Sequence, residues 1–213
     1  MSRSLLKALV SSLAVAMAGL IIAAPASAAG DPVRGKALGY TCLGCHGIDT
    51  YKNVYPTYSV PKLRGQHAEY LVAALKEYRD SERGHATMHA HASTLSDQDM
   101  QDVAAYLSGT EVKTAGGAPA GKVPAAVATC QACHGRDGVG IMGMYPSLSG
   151  QHADYLEHSL NDYRKGARKN AIMAPFATQL KPEEVQEVAE YFSRQKPALQ
   201  TVPRNEKALT AAK

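Results

Sequence analysis

The sequence predicts an all-α protein made of two tandem copies of one small domain. Three observations carry that expectation. LRGQHAEYLVAALKEYRDSERG (63–84) aligns with LSGQHADYLEHSLNDYRKGARK (148–169) at an offset of 85 residues, and HATMHAHASTLSDQDMQDVAAYLSG continues in step with NAIMAPFATQLKPEEVQEVAEYFSR. Within each copy the apolar residues recur at helical spacing, and no run alternates as a strand would. Between the copies lies GTEVKTAGGAPAGKVP, whose small residues and prolines read as a linker.

The elements follow in chain order. Arg3 and Lys7, an apolar run from Ala8 to Ala24, and the small-x-small site Ala26-Ser27-Ala28 predict a secretory signal peptide over 1–28, removed on export. An uncleaved membrane anchor is the alternative. The first domain is expected over 29–109, the linker over 110–120, the second domain over 121–200 and a tail over 201–213. A short helix ends at each of the strings TCLGCHG and TCQACHG. Leu71, Ala74, Leu75 and Tyr78 predict a central helix, repeated at Leu156, Ser159, Leu160 and Tyr163. Ser96-Asp97-Gln98-Asp99 opens a last helix with Met100, Val103, Ala104 and Leu107 on one face, matched by Val185, Val188, Ala189 and Phe192. The stretches holding Pro56, Pro61 and Pro146 read as loops, so each domain is expected to hold about three helices.

Composition limits the function classes. There are 23 Lys and Arg against 19 Asp and Glu, a net charge of +4, of which the leader carries two. That balance excludes a strongly basic nucleic-acid binder. The chain has no tryptophan and only two phenylalanines, so two domains of this size are short of apolar bulk unless another group supplies it. All four cysteines sit in the two CxxC pairs.

Each pair is followed at once by a histidine. A helical turn puts Cys42 and Cys45 on one face, where each can form a thioether to a haem vinyl group, and His46 can then face the iron from the same side. Cys130, Cys133 and His134 repeat the arrangement. A zinc site would need four ligands converging on one place, whereas these pairs lie on separate copies. A thioredoxin-like dithiol needs a βαβ setting, and structural disulfides leave the trailing histidines unexplained. The residues thus point to two covalently bound haem c groups, which also answer the shortage of aromatic bulk.

A second axial ligand must come from the far side of the porphyrin and hence from a later loop of each copy. Met88 and Met173 are equivalent in the duplication, each seven residues before the leucine (Leu95, Leu180) that precedes the last helix. A thioether favours ferrous iron and raises the reduction potential. His85, His89 and His91 crowd Met88 and offer bis-histidine ligation instead; Met142 and Met144 are rivals of Met173 without counterparts in the first copy; Met100 reads as helix core.

The paired CxxCH motifs, the repeated GQHA(E/D)YL, the stretch KNAIMAPFA and the terminal AEYF or AAYL resemble the dihaem cytochrome c₄ family over nearly all of the mature chain. The resemblance implies two class I cytochrome c domains related by a pseudo-twofold axis, each with a few helices wrapped around one covalently bound haem near the domain interface. It implies thioethers at Cys42, Cys45, Cys130 and Cys133, and the axial pairs His46/Met88 and His134/Met173. It further implies a periplasmic electron carrier, often membrane-associated, that takes electrons from a quinol-oxidising cytochrome bc complex or a dehydrogenase and passes them to a terminal oxidase. The first half departs from the simpler pattern in its lengthened IDTYKNVYPTYSVPK and in MHAHA where the second has MAPFA.

With both axial positions filled, no open site remains for a substrate, so the chain is expected to be an electron-transfer protein and not an enzyme. The alternatives are a dihaem peroxidase-like enzyme, which needs a displaceable ligand, and a haem subunit held by a periplasmic dehydrogenase. His67 and His152 read as helix-start or interface residues. Tyr70/Tyr155, Tyr78/Tyr163 and Tyr106/Tyr191 read as packing residues with a polar tip. Arg164, Lys165, Arg168 and Lys169 read as a solvated basic cluster, with guidance of an acidic partner as its sharper reading.

Overall fold

The computed structural model describes residues 30–109 and 116–204; the expected leader, linker residues 110–115 and everything from 205 onward lie outside them. The first half comprises α1 (Pro32–Leu38), a 3₁₀ turn (Gly39–Cys42), α2 (Leu43–His46), α3 (Ala68–Arg79), α4 (Ala86–Ala92) and α5 (Asp97–Ser108). The second comprises a 3₁₀ turn (Ala125–Val127), α6 (Gln131–His134), α7 (Ala153–Lys165), α8 (Met173–Gln179) and α9 (Pro182–Ser193). Among the described residues β pairing is confined to three isolated bridges, and the all-α expectation holds.

Local chemistry sets the helix ends. Asp31 accepts from the Val33 and Arg34 N–H groups and Pro32 occupies the first turn, which starts α1. Ser96 and Asp99 form a reciprocal capping box at α5. At α9, Pro182 fills the first turn and the Glu184 carboxylate accepts from the Lys181 N–H at 2.8 Å. Helices α1, α4 and α8 exceed the expected three per half. Each is seven residues long, too short to show a helical period in the sequence. Met88 and Met173 therefore sit on helices and not on loops.

The core of the first half lies between α3 and α5, with Leu71, Val103, Ala104 and Leu107 buried together. Helix α1 crosses α5 so closely that a Cβ at Gly35 would fall 1.9 Å from the Asp102 carbonyl oxygen. In the second half Val127, Leu156, Val188, Ala189 and Phe192 form the equivalent cluster. The segment after α9 then crosses from one half to the other. The Ala198 and Leu199 N–H groups donate to the Ser149 carbonyl, Gln200 exchanges both backbone hydrogen bonds with Arg64, and the Val202 N–H donates to the His46 carbonyl at 3.1 Å. The Val202 side chain enters the first half's core and is 1% exposed.

The halves meet around a pseudo-twofold axis. Arg83 and Arg168 face each other as an antiparallel pair, with Gly84 N–H donating to Ala167 O at 2.9 Å and Lys169 N–H to Glu82 O at 2.7 Å. Positive-φ residues stand two places before each arginine, Gly166 at +72° and its counterpart Ser81 at +58°, and turn the chain back to the axis. Two buried amides cross in opposite directions. Gln66 donates to the Ser147 carbonyl (3.0 Å) and accepts from its N–H (2.9 Å), while Gln151 does the same with Lys62 at 3.0 Å in both bonds. The lengthened loop of the first half adds a clasp: Ser59 donates through N–H and Oγ to Asp154, and Tyr58 stacks on His158 with centroids 3.9 Å apart.

Two outcomes follow. Val202→Ala removes two buried methyl groups and lowers the stability of the holoprotein by about 2 kcal/mol in denaturant titration. Gln151→Leu leaves the Lys62 N–H and carbonyl without partners, at a cost of about 1–3 kcal/mol, and amide exchange at Lys62 accelerates by about tenfold or more.

Candidate functional site

A cavity open to solvent lies at the end of each CxxCH helix. The first is lined by Cys42, Cys45, His46 and Met88 together with Leu71, Leu75, Val103 and Leu107. The second is lined by Cys130, His134 and Met173 with Leu156, Leu160, Val188 and Phe192. The structure thus gathers seven of the eight expected site residues on two cavity walls. Cys133 lies one place before His134 on α6, off the wall, where its carbonyl accepts from the Ile141 N–H.

The two histidines are held alike. His46 Nδ1 lies 2.8 Å from the Pro61 carbonyl oxygen, and His134 Nδ1 lies 2.8 Å from that of Pro146. A carbonyl can only accept, so Nδ1 carries the proton and Nε2 keeps a free lone pair. Burial pushes the His46 imidazole down to about 4, and burial lowers His134 too, so both rings stay in the neutral, ligating form. Burial also raises the Cys42 and Cys130 thiols, the reverse of what a reactive thiolate needs. All four cysteines are free of disulfides.

The rival residues fall in different places. Met142 and Met144 are 53% and 59% exposed and lie off the second wall, while Met100 is fully buried in the first half's core. His85 and His91 lie on the first wall; His89 does not. His67 belongs to the domain interface, with Nε2 3.1 Å from the Gly140 carbonyl oxygen, and His152 occupies the equivalent place at the start of α7.

Arg168 departs from its expected place in a solvated cluster. It is 4% exposed, because the turn at Gly166 and the antiparallel pairing carry it to the axis, whereas Lys165 and Lys169 remain exposed. Arg83 lines the first cavity and donates to the Tyr155 hydroxyl at 2.6 Å; Arg168 lines the second and donates to the Tyr70 hydroxyl at 3.2 Å. Each guanidinium also lies 4.5 Å over a tyrosine of its own half, Tyr78 or Tyr163. Tyr70 and Tyr155 reach both cavities, so the two sites adjoin at this cluster. Burial opposes ionisation of Tyr70, yet the Arg168 and Arg83 guanidiniums outweigh it and bring the phenol down to about 8.

These charges test whether a haem fits. Glu77 pairs with Arg168 at 3.2 Å, but its counterpart Asp162 pairs with His158, and Arg83 has no carboxylate partner among the described residues. Arg168 Nε is buried without a hydrogen-bond partner. Buried cations in excess need anions, and haem propionates are carboxylates of the kind these walls lack. With apolar walls, free cysteines and a neutral imidazole, both cavities fit a haem. The repeated Pro61/Pro146 and Arg83/Arg168 were visible as matched positions at the same offset, but nothing in the sequence showed their direction.

Comparison with known proteins agrees. The Cytochrome c family profile matches residues 32–111 and again 119–196. A cytochrome c4 of Pseudomonas aeruginosa is 33% identical over 183 residues, covering 78% of this chain and 90% of that protein. A thiosulfate dehydrogenase electron acceptor of Stutzerimonas stutzeri is 34% identical over 171 residues, covering 71% of this chain and 77% of its own. The crystal structure of reduced recombinant cytochrome c4 from Pseudomonas stutzeri superposes with a TM-score of 0.62 at 29% identity, covering 79% of this chain and all of that one. Two CxxCH cavities, two profile matches and these relatives lead to one conclusion: the chain belongs to the cytochrome c family, as a dihaem member of the cytochrome c4 group with two covalently bound haem c groups.

Proposed function

We propose that the protein is a periplasmic electron carrier and not an enzyme. In this reading Cys42, Cys45, Cys130 and Cys133 form the haem thioethers, and the pairs His46/Met88 and His134/Met173 ligate the irons. One observation carries it. Each cavity wall holds a histidine whose Nδ1 is committed to a proline carbonyl and a methionine at the equivalent place of the duplication. The bound haems supply one-electron iron redox chemistry. The chain fixes the imidazole tautomer, offers a thioether that favours the ferrous state, and surrounds both with apolar walls. A filled methionine position in each cavity leaves no open site for peroxide, which counts against a peroxidase.

The leader 1–28 supports export to the periplasm. Among the described residues no helix is long and apolar enough to cross a membrane. A quinol-oxidising cytochrome bc complex or a dehydrogenase is the proposed donor and a terminal oxidase the proposed acceptor. The relative described as a thiosulfate dehydrogenase electron acceptor favours a periplasmic dehydrogenase among the donors.

A redox titration of the holoprotein, followed optically through the methionine–iron band, shows two one-electron transitions and a band accounting for both haems; a band for one haem alone overturns the symmetric assignment. Replacing Arg164, Lys165 and Lys169 by glutamine weakens the salt dependence of electron-transfer rates with an acidic partner, measured by stopped flow. Unchanged salt dependence removes these cations from docking.

A further inference from the structure

The two methionines have different neighbours. The first half reads His85-Ala86-Thr87-Met88-His89-Ala90-His91, and the same offset in the second reads Asn170-Ala171-Ile172-Met173-Ala174-Pro175-Phe176. Three histidines flank Met88 in sequence and none flanks Met173. Their hydrogen bonds tell the three apart. His85 Nδ1 accepts from the Met88 N–H at 3.2 Å, which places the proton of the neutral ring on Nε2 and removes that nitrogen as a ligand. His89 Nδ1 donates to the Tyr78 carbonyl at 2.9 Å, and its ring is off the cavity wall. His91 makes no ring hydrogen bond among the described residues, so neither of its nitrogens is committed.

His91 also has the right position. It follows Met88 by three residues on α4, which puts the two on one helix face. It lies on the wall of the same cavity as His46 and Met88. Its counterpart Phe176 is exposed as His91 is, but lies off the wall of the second cavity and has no donor atom. The first cavity alone therefore pairs its methionine with a spare nitrogen.

We infer that His91 is a reserve axial ligand of the first haem, able to take the iron when Met88 leaves it. The inference rests on His46/Met88 as the resting pair. The exchange transfers no electron: the thioether sulfur leaves, and the neutral imidazole donates a nitrogen lone pair in its place. It keeps the first iron six-coordinate and closed to small ligands, and it lowers the potential, because imidazole favours ferrous iron less than a thioether does. The second haem has no such protection, so loss of Met173 opens its iron.

Electron paramagnetic resonance of full-length holoprotein variants tests this. Met88→Ala loses the methionine–iron band of one haem yet remains low-spin, with a bis-imidazole signal and no carbon monoxide binding at that iron after reduction. Met173→Ala and the double variant Met88→Ala/His91→Phe become high-spin at one haem and bind carbon monoxide there. The Met88→Ala/His85→Ala and Met88→Ala/His89→Ala variants stay low-spin. A second measurement keeps Met88 in place: guanidinium titration passes through a bis-imidazole species in the wild type and not in His91→Phe. A high-spin Met88→Ala protein, a low-spin Met88→Ala/His91→Phe protein, or identical titrations overturns the inference. A wild-type protein lacking the band at the first haem overturns the His46/Met88 reading and the reserve role together, whereas a full band with high-spin Met88→Ala overturns the reserve role alone.

Discussion

Arg83 and Arg168 are buried beside one another on the pseudo-twofold axis, and like charges so placed repel unless anions or π faces surround them. The domain interface is arranged around this constraint. Each guanidinium lies over a tyrosine of its own half and donates to a tyrosine of the other, and among the described residues a single carboxylate, Glu77, pairs with Arg168. The remaining positive charge faces the two cavities. Carboxylates of a bound haem would meet that charge, and anything that binds only the docked form stabilises it.

The duplication is close to symmetric where it touches the haem sites and asymmetric around them. The histidine–proline bonds, the crossed glutamines and the arginine–tyrosine pairs all repeat at the same offset. Glu77 and Asp162 do not, because a carboxylate one methylene shorter turns to His158. The clasp from Tyr58 and Ser59 and the three histidines around Met88 exist on one side only. Two sites with the same inner wall thus carry unlike outer surroundings.

Much of this is legible in the sequence. Repeated CxxCH strings name their cofactor, because thioether attachment and iron ligation demand that spacing, and the last helix of each half announces itself through an apolar face, joined in the first half by the capping residue Ser96. Helices of seven residues left no period to read, so α1, α4 and α8 went unseen. Arg168 illustrates the deeper limit. In sequence it is one cation among four, and only the turn at Gly166 and the pairing with Arg83 decide that it points inward. Gln66 and Gln151 were part of a recognisable repeat, yet their job depends on backbone groups of the other half. Contacts between distant segments have no local signature.

The segment around Val202 belongs by position to the second half and by contact to the first. His46 precedes it by 156 residues (202 minus 46), so the loop closed by the bond between Val202 N–H and the His46 carbonyl spans most of the chain. The core behind Cys42, Cys45 and His46 is therefore completed by a residue from the far side of the second half, and the first half's packing is whole only when that segment has docked on it.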